Sequence, residues 1–240
     1  MSLVLGLVAV AAVSAGWTTS HTAGPATVYA AASLSNVFPK VSPSSRFQLA
    51  GSNQLALQIT RGAPADVFAS ASPIYTQDLY RNGLVEKPRA FATNSLVLAI
   101  PRSNPAKIRT VYDLAKRPNL KLVVAGQKVP IGLYTREVLK RLGLLRVLRK
   151  AVSQEPDVKG IVGKLALGEA DAGFVYATDV RAASSRLVAI PLPKRSQPTV
   201  LYEVAVVKGS NNREAALEFV ADLLSTDGRR ELKLAGFGLP

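Results

Sequence analysis

Four segments of the chain place small or hydroxyl-bearing residues where a strand-like run gives way to a helix-like run. They are residues 31–36, 50–53, 129–132 and 157–160. The first two contain Ser33 and Ser52, each at a predicted helix N-cap. Helix N-termini carry unpaired N–H groups and partial positive charge, so they attract anions. A single serine after a strand is more often only an N-cap, but four similar turns indicate an anion site. Spacing alone does not show that they converge.

Tyr176 ends the apolar run 172–176. Two interpretations stay open for it at this point. The ring can belong to the core with its hydroxyl satisfied locally, or the hydroxyl can be a donor that faces a cleft.

The side chains that most enzymes need are scarce in this chain. The only histidine is His21, so a Ser–His–Asp hydrolase would lack its base. Cysteine is absent, which removes thiolate catalysis, and no His/Cys cluster offers a transition-metal site. Neither a phosphate-binding P-loop nor a dinucleotide fingerprint occurs. We therefore expect a protein that is not an enzyme, has no direct metal ligands and uses no cofactor.

The candidate residues lie in a regular alternation of strands and helices. Predicted strands cover residues 27–32, 47–50, 66–70, 95–100, 121–125, 172–176, 187–190 and 200–207, with helical segments between and after them. Such alternation predicts an α/β fold built from βαβ units with mainly parallel sheets. Ligands of these folds lie beyond the carboxyl ends of strands, where helices begin.

The first 26 residues contain no charged side chain, and they include the apolar run 3–13 followed by Ser14, Ala15 and Gly16. That run is too short to cross a bilayer, which needs about 20 apolar residues. It matches an export signal, although a basic start is missing. We expect an exported protein, in the periplasm or outside the cell envelope, with no disulfides and no lipid-bearing cysteine.

The net charge is +14, and the densest basic cluster lies in residues 140–150, where leucines are interleaved. This pattern predicts an amphipathic helix with a solvated basic face. Since neither interleaved aromatic residues nor a nucleic-acid motif accompanies it, we expect no nucleic-acid partner.

In order along the chain, several segments resemble those of the molybdate-binding proteins of ABC transporters. They are residues 28–34 (VYAAASL), 51–59 (GSNQLALQI), 62–68 (GAPADVF), 94–98 (NSLVL), 129–134 (VPIGLY), 157–160 (DVKG) and 173–176 (GFVY). The resemblance extends from residue 27 to the C-terminus.

This resemblance implies a two-lobed fold of the type II periplasmic binding protein kind, with the ligand in the interlobe cleft. Lobe 1 would comprise residues 27–97 with 206–240, and lobe 2 residues 98–205, after a signal and linker in residues 1–26. A receptor of this kind binds molybdate or tungstate and delivers it to the membrane permease of an ABC importer, and we expect a monomer.

The resemblance also implies a set of ligand-binding residues. Ser33 and Ser52 would give hydroxyl and backbone N–H donors, Ile131 and Val158 backbone N–H groups, and Tyr176 its phenol. Two positions depart from the family pattern. Asn53 stands where a further serine is common, and Ile131 replaces a usual alanine. Molybdate is a dianion that offers only acceptors, so a cage of neutral donors suits it.

Alternatives remain at this stage. The same class of receptor could bind sulfate or another tetrahedral oxyanion. A different class would be a basic protein that binds anionic envelope polymers. A third would be a cytoplasmic ligand-sensing domain, against which the apolar leader argues.

Overall fold

A computed structural model of the chain describes residues 24–240, so most of the predicted export signal lies outside the described residues. The strands are β1 Thr27–Ala31, β2 Arg46–Ala50, β3 Val67–Ser70, β4 Arg89–Asn94, β5 Leu96–Pro101, β6 Leu122–Ala125, β7 Ala151–Glu155, β8 Ala172–Tyr176, β9 Leu187–Pro191 and β10 Val200–Val206. The helices are α1 Phe38–Val41, α2 Ser52–Thr60, α3 Pro73–Arg81, α4 Asp113–Lys116, α5 Pro130–Arg141, α6 Val158–Ala166, α7 Ala177–Ala182, α8 Arg213–Leu224 and α9 Thr226–Ala235. Short 3₁₀ turns cover Ala32–Leu34, Leu145–Lys150 and Lys194–Ser196.

The strands form two five-stranded sheets, one in each lobe. The first has the order β2-β1-β3-β10-β4, and the second has the order β7-β6-β8-β5-β9. In each sheet the first three strands pair in parallel, and the fourth strand is antiparallel to both of its neighbours. The sheets are therefore mixed, with a single reversed strand in each. The α/β class and the two-lobed arrangement agree with the sequence prediction.

The chain passes between the lobes twice. The first crossing is the single residue Ser95 between β4 and β5, and the second runs from β9 to β10. Gln197, in the second crossing, holds the first one in place. Its side-chain oxygen accepts from Leu96 N at 3.1 Å, and its nitrogen donates to Leu96 O at 2.8 Å. The predicted lobe limits at residues 97 and 206 coincide with the second residue of β5 and the last residue of β10.

Helices cover the faces of both sheets. In lobe 1, α2 and α3 pack on β3, and α8 packs on β10. In lobe 2, α5 and α6 pack on β6 and β8. Phe38 anchors the lobe 1 core, with its ring centroid 5.3 Å from that of Phe219 and 5.9 Å from that of Phe91. Close packing of these rings fixes the lobe 1 sheet from which two of the candidate turns start.

The basic cluster does not form the single helix predicted for it. Helix α5 ends at Arg141, Gly143 has a positive φ of 68°, and a 3₁₀ turn carries the remaining basic residues. Gly143 adopts this left-handed conformation without steric cost, so the chain can turn there. In the part of the chain that the structure describes, no helix is both long and apolar enough to cross a membrane.

Candidate anion-binding site

All five predicted ligand-binding residues line one cavity between the lobes. Ser33 and Ser52 come from lobe 1, and Ile131, Val158 and Tyr176 come from lobe 2. The cavity and its mouth hold about 210 Å³ of empty space. Each of the five residues is at least 95% buried. The four turns, whose convergence the sequence did not show, therefore meet at one cavity.

The helices around the cavity present their first turns to it. Ser52 is the first residue of α2, after the N-cap Gly51, and Val158 is the first residue of α6. Ile131 is the second residue of α5, which starts with a proline. Backbone N–H groups at these positions have no acceptor within their own helix. Three helix N-termini thus supply free donors and partial positive charge to one small volume.

The N-cap assignments for the two serines are wrong. Gly51 caps α2, and Ser33 lies inside the 3₁₀ turn Ala32–Leu34. Neither hydroxyl is engaged in capping, because both have partners elsewhere. Ser52 Oγ accepts from Ala71 N at 3.1 Å, and Ser33 Oγ lies 3.0 Å from Tyr202 Oη. Since a backbone N–H can only donate, the Ser52 hydrogen remains available to the cavity.

Tyr176 has a buried hydroxyl without a partner. The residue is 1% exposed, and no hydrogen bond to its Oη is formed by the described residues. Burial, with smaller contributions from Tyr202 and Tyr134, raises the pKa of the Tyr176 phenol well above its ordinary value. The hydroxyl therefore keeps its proton and is a donor. Of the two interpretations left open by the sequence, the structure favours a donor for the cleft, since an unsatisfied buried hydroxyl costs about 1–3 kcal/mol.

One carboxylate borders the cavity but is directed into a helix. Asp157 is the N-cap of α6, and its Oδ1 accepts from Lys159 N at 2.7 Å and from Gly160 N at 3.1 Å. Its charge is stabilised by that helix N-terminus. Within the described residues, neither lysine nor arginine lines the cavity, so neutral donors define its chemistry.

The lobes touch around this cavity. Tyr134 Oη of lobe 2 donates to Ala71 O of lobe 1 at 3.3 Å, and Tyr75 Oη of lobe 1 donates to Lys128 O of lobe 2. These contacts describe a closed cleft that can exclude water from a bound ion. Sequence reasoning missed them because tyrosine and main-chain partners carry no local pattern.

The two departures from the family pattern have different surroundings. Ile131 is 1% exposed and contributes to the core, so a larger side chain than alanine is accommodated there. Asn53 Oδ1 is buried without a partner among the described residues. Over residues 24–240, no group of three or more His, Cys, Asp or Glu side chains could hold a metal ion.

A two-lobed α/β fold that closes over a small donor-lined cavity defines a solute-binding protein. The chain belongs to the family described as bacterial extracellular solute-binding protein, whose profile matches residues 23–238.

Its relatives include the molybdate-binding protein ModA of Mycobacterium tuberculosis, 35% identical over 254 aligned residues that cover 99% of this chain and 95% of the relative. ModA of Escherichia coli K12 is 32% identical over 204 residues, 79% of each chain. The fold is similar to that of the periplasmic molybdate-binding protein of Azotobacter vinelandii, with a TM-score of 0.79 at 23% identity over 90% of this chain and 99% of that one.

Proposed function

We propose that this protein is an exported receptor that binds molybdate between its lobes and delivers it to the membrane permease of an ABC importer. Relatives named for molybdate binding support the ligand, and one of them matches nearly the full chain. The extracellular solute-binding family supports the location.

The observation that carries the proposal is the buried, unpaired hydroxyl of Tyr176, a residue that lines the same cavity as the first turns of three helices. A tetrahedral dianion has four acceptor oxygens and no donors, so it can satisfy these groups together. Hydrogen bonds to a charged partner contribute about 1.5–3 kcal/mol each. An uncharged substrate would leave the N-termini of α2 and α5 without a compensating charge, whereas Asp157 already caps α6.

Tungstate has the same charge and shape as molybdate and should bind as well. The protein is expected to act as a monomer, without catalysis and without a cofactor. Sulfate should bind less well, because its smaller radius cannot bring its oxygens to all donors of a rigid cavity at once.

The test is calorimetric titration of the purified, ligand-free protein with molybdate, tungstate and sulfate. We expect tight binding of the first two. Tyr176→Phe should weaken molybdate binding about 10- to 100-fold, because it deletes one hydrogen bond to a charged oxygen. Ser52→Ala should cause a loss of the same order.

Tyr80→Phe is the matched control, since Tyr80 is exposed and lies outside the cavity. This variant should bind as the wild type does. Preferred binding of sulfate would reassign the receptor to another oxyanion. If none of the three anions binds, and anionic envelope polymers bind in a salt-sensitive manner, the protein is an envelope-interaction protein and the proposal fails.

A further inference from the structure

A series of polar groups, buried or partly buried, is hydrogen-bonded to the Ser33 hydroxyl, and apart from Ser33 its members lie outside the cavity lining. Ser33 Oγ is 3.0 Å from Tyr202 Oη, and Asn94 Nδ2 lies 3.5 Å from Tyr202 Oη and 3.0 Å from Thr178 Oγ1. Tyr202 is fully buried, and both hydroxyl residues beside it are more than 90% buried. The series joins the cavity to the first crossing between the lobes, because Asn94 is the last residue of β4.

A backbone N–H at the crossing determines which atom donates in each of these hydrogen bonds. Ser95 N donates to Asn94 Oδ1 at 2.9 Å. A backbone N–H can only donate, so the atom it meets must be the amide oxygen. The amide nitrogen of Asn94 therefore faces Thr178 and Tyr202 as a donor.

The donor direction set at Asn94 then determines the donor direction at Tyr202 and at Ser33. Tyr202 Oη accepts from Asn94 at 3.5 Å, and its single hydrogen is assigned to Ser33 Oγ, its nearest hydrogen-bond partner at 3.0 Å. Burial raises the pKa of the Tyr202 phenol far above its ordinary value, so this hydrogen is retained at every physiological pH. Once Ser33 Oγ accepts from Tyr202, its own hydrogen is free to point into the cavity.

From this geometry we infer that Tyr202 is a positioning residue for ligand binding, which holds Ser33 as a hydrogen-bond donor toward the bound anion. The inference rests on the proposed function and deepens it. Ser52 is held in the same way by Ala71 N at 3.1 Å. Both serine hydroxyls are then preset as donors before the ion arrives. Since every oxygen of a fully deprotonated oxyanion is an acceptor, both preset serine donors match such an anion.

A double-mutant cycle on molybdate affinity tests whether Tyr202 acts through Ser33. Tyr202→Phe keeps the ring and its edge contacts with Phe91 and Phe237, but it removes the donor. We expect molybdate binding about 2- to 10-fold weaker, the effect of one net hydrogen bond. In a Ser33→Ala background, the same change should have no further effect on affinity. In a Ser52→Ala background, the full loss should persist.

A purely structural role for Tyr202 would give a different result. Tyr202→Phe would then lower molybdate affinity by the same factor in the wild-type, Ser33→Ala and Ser52→Ala backgrounds. That outcome overturns the inference. The proposed function would still stand, because the wild type binds molybdate. Absence of molybdate binding by the wild type would instead overturn both. If Tyr202→Phe does not fold, Asn94→Ala removes the group that orients Tyr202. Asn94→Ala should likewise lower molybdate affinity in the wild type but not in the Ser33→Ala background. If the effects of the two substitutions on binding free energy are additive, the inference is rejected.

Discussion

At the residue scale, Asp179 is a buried carboxyl group next to the candidate site, and burial destabilises its charged form. It is 1% exposed, its Oδ2 accepts from Tyr176 N at 3.3 Å, and its Oδ1 lies 3.1 Å from Lys159 Nζ. Burial raises the pKa of this carboxyl from 3.8 to about 6, although Lys159 and the Tyr176 N–H oppose the rise and Asp157 adds to it.

This raised pKa predicts an unusual dependence of stability on pH. Between pH 4 and pH 6 the folded protein binds a proton at Asp179 that the unfolded chain has released, so the free energy of unfolding falls as pH rises. A difference of about 2 pH units at ~1.4 kcal/mol each corresponds to roughly 3 kcal/mol. Asp179→Asn removes this titration and keeps the shape of the side chain.

The measurement is urea unfolding of the wild type and of Asp179→Asn at pH 4, 5, 6 and 7. The wild type should lose about 2 of these 3 kcal/mol relative to the variant between pH 4 and pH 6, and the two curves should run parallel above about pH 7. Parallel curves over the whole range would mean that Asp179 is ionised at an ordinary pKa, with Lys159 compensating for its burial.

The residues that line the cavity could be predicted from sequence, but the partners of their hydroxyls could not. The five cavity residues lie in local motifs, so a resemblance to known segments found them. Tyr202 is 169 positions from Ser33, and Ala71 is 19 positions from Ser52. Their contacts depend on how the strands of lobe 1 are ordered, and neither residue type signals such a role.

At the element scale, apolar content decided which strands could be predicted. The central strands read as continuous apolar runs, as expected for buried strands. Two sheet-edge strands, Arg89–Asn94 and Ala151–Glu155, were missed. Both are partly exposed and rich in polar residues, as edge strands commonly are, so they carry no apolar run.

The turn before α2 provides a test of lobe closure. A Cβ on Gly51 would lie 2.5 Å from Pro156 O, which belongs to the opposite lobe, and 2.8 Å from Asn53 Oδ1 in its own turn. The φ of Gly51 is −63°, which alanine adopts readily. Gly51→Ala should therefore fold normally but resist closure. We expect molybdate affinity to fall about tenfold or more, because a backbone carbonyl cannot yield without moving the lobe.

Calorimetric titration gives the affinity, and small-angle X-ray scattering with and without molybdate gives the change in radius of gyration. Gly163→Ala is the matched control, since a Cβ there meets nothing within 4 Å. It lies inside α6 and should stabilise the protein by about 0.5–1 kcal/mol with unchanged affinity. Ligand-induced compaction in Gly51→Ala equal to that of the wild type would reject the closure argument.

At the scale of the whole molecule, the sequence predicted the class of fold but not the reversal of one strand in each sheet. Strands β5 and β10 run against their neighbours because each enters its sheet directly from a crossing between the lobes. An apolar run has no direction, so local pattern could not reveal this. The meeting of the four turns follows from the same topology, which brings strand ends from both lobes to one cleft.

The net charge of +14 belongs to the whole molecule rather than to the cavity, whose described lining has no lysine or arginine. Surface charges should therefore speed the encounter with a dianion without strengthening its final contacts. We predict that raising sodium chloride from 20 to 500 mM lowers the association rate constant for molybdate by about tenfold and leaves the dissociation rate constant nearly unchanged, because salt shortens the Debye length to a few ångströms. Stopped-flow tyrosine fluorescence on the wild type measures both constants. A salt-insensitive association rate, or a salt effect confined to dissociation, would show that the basic surface does not steer the ligand.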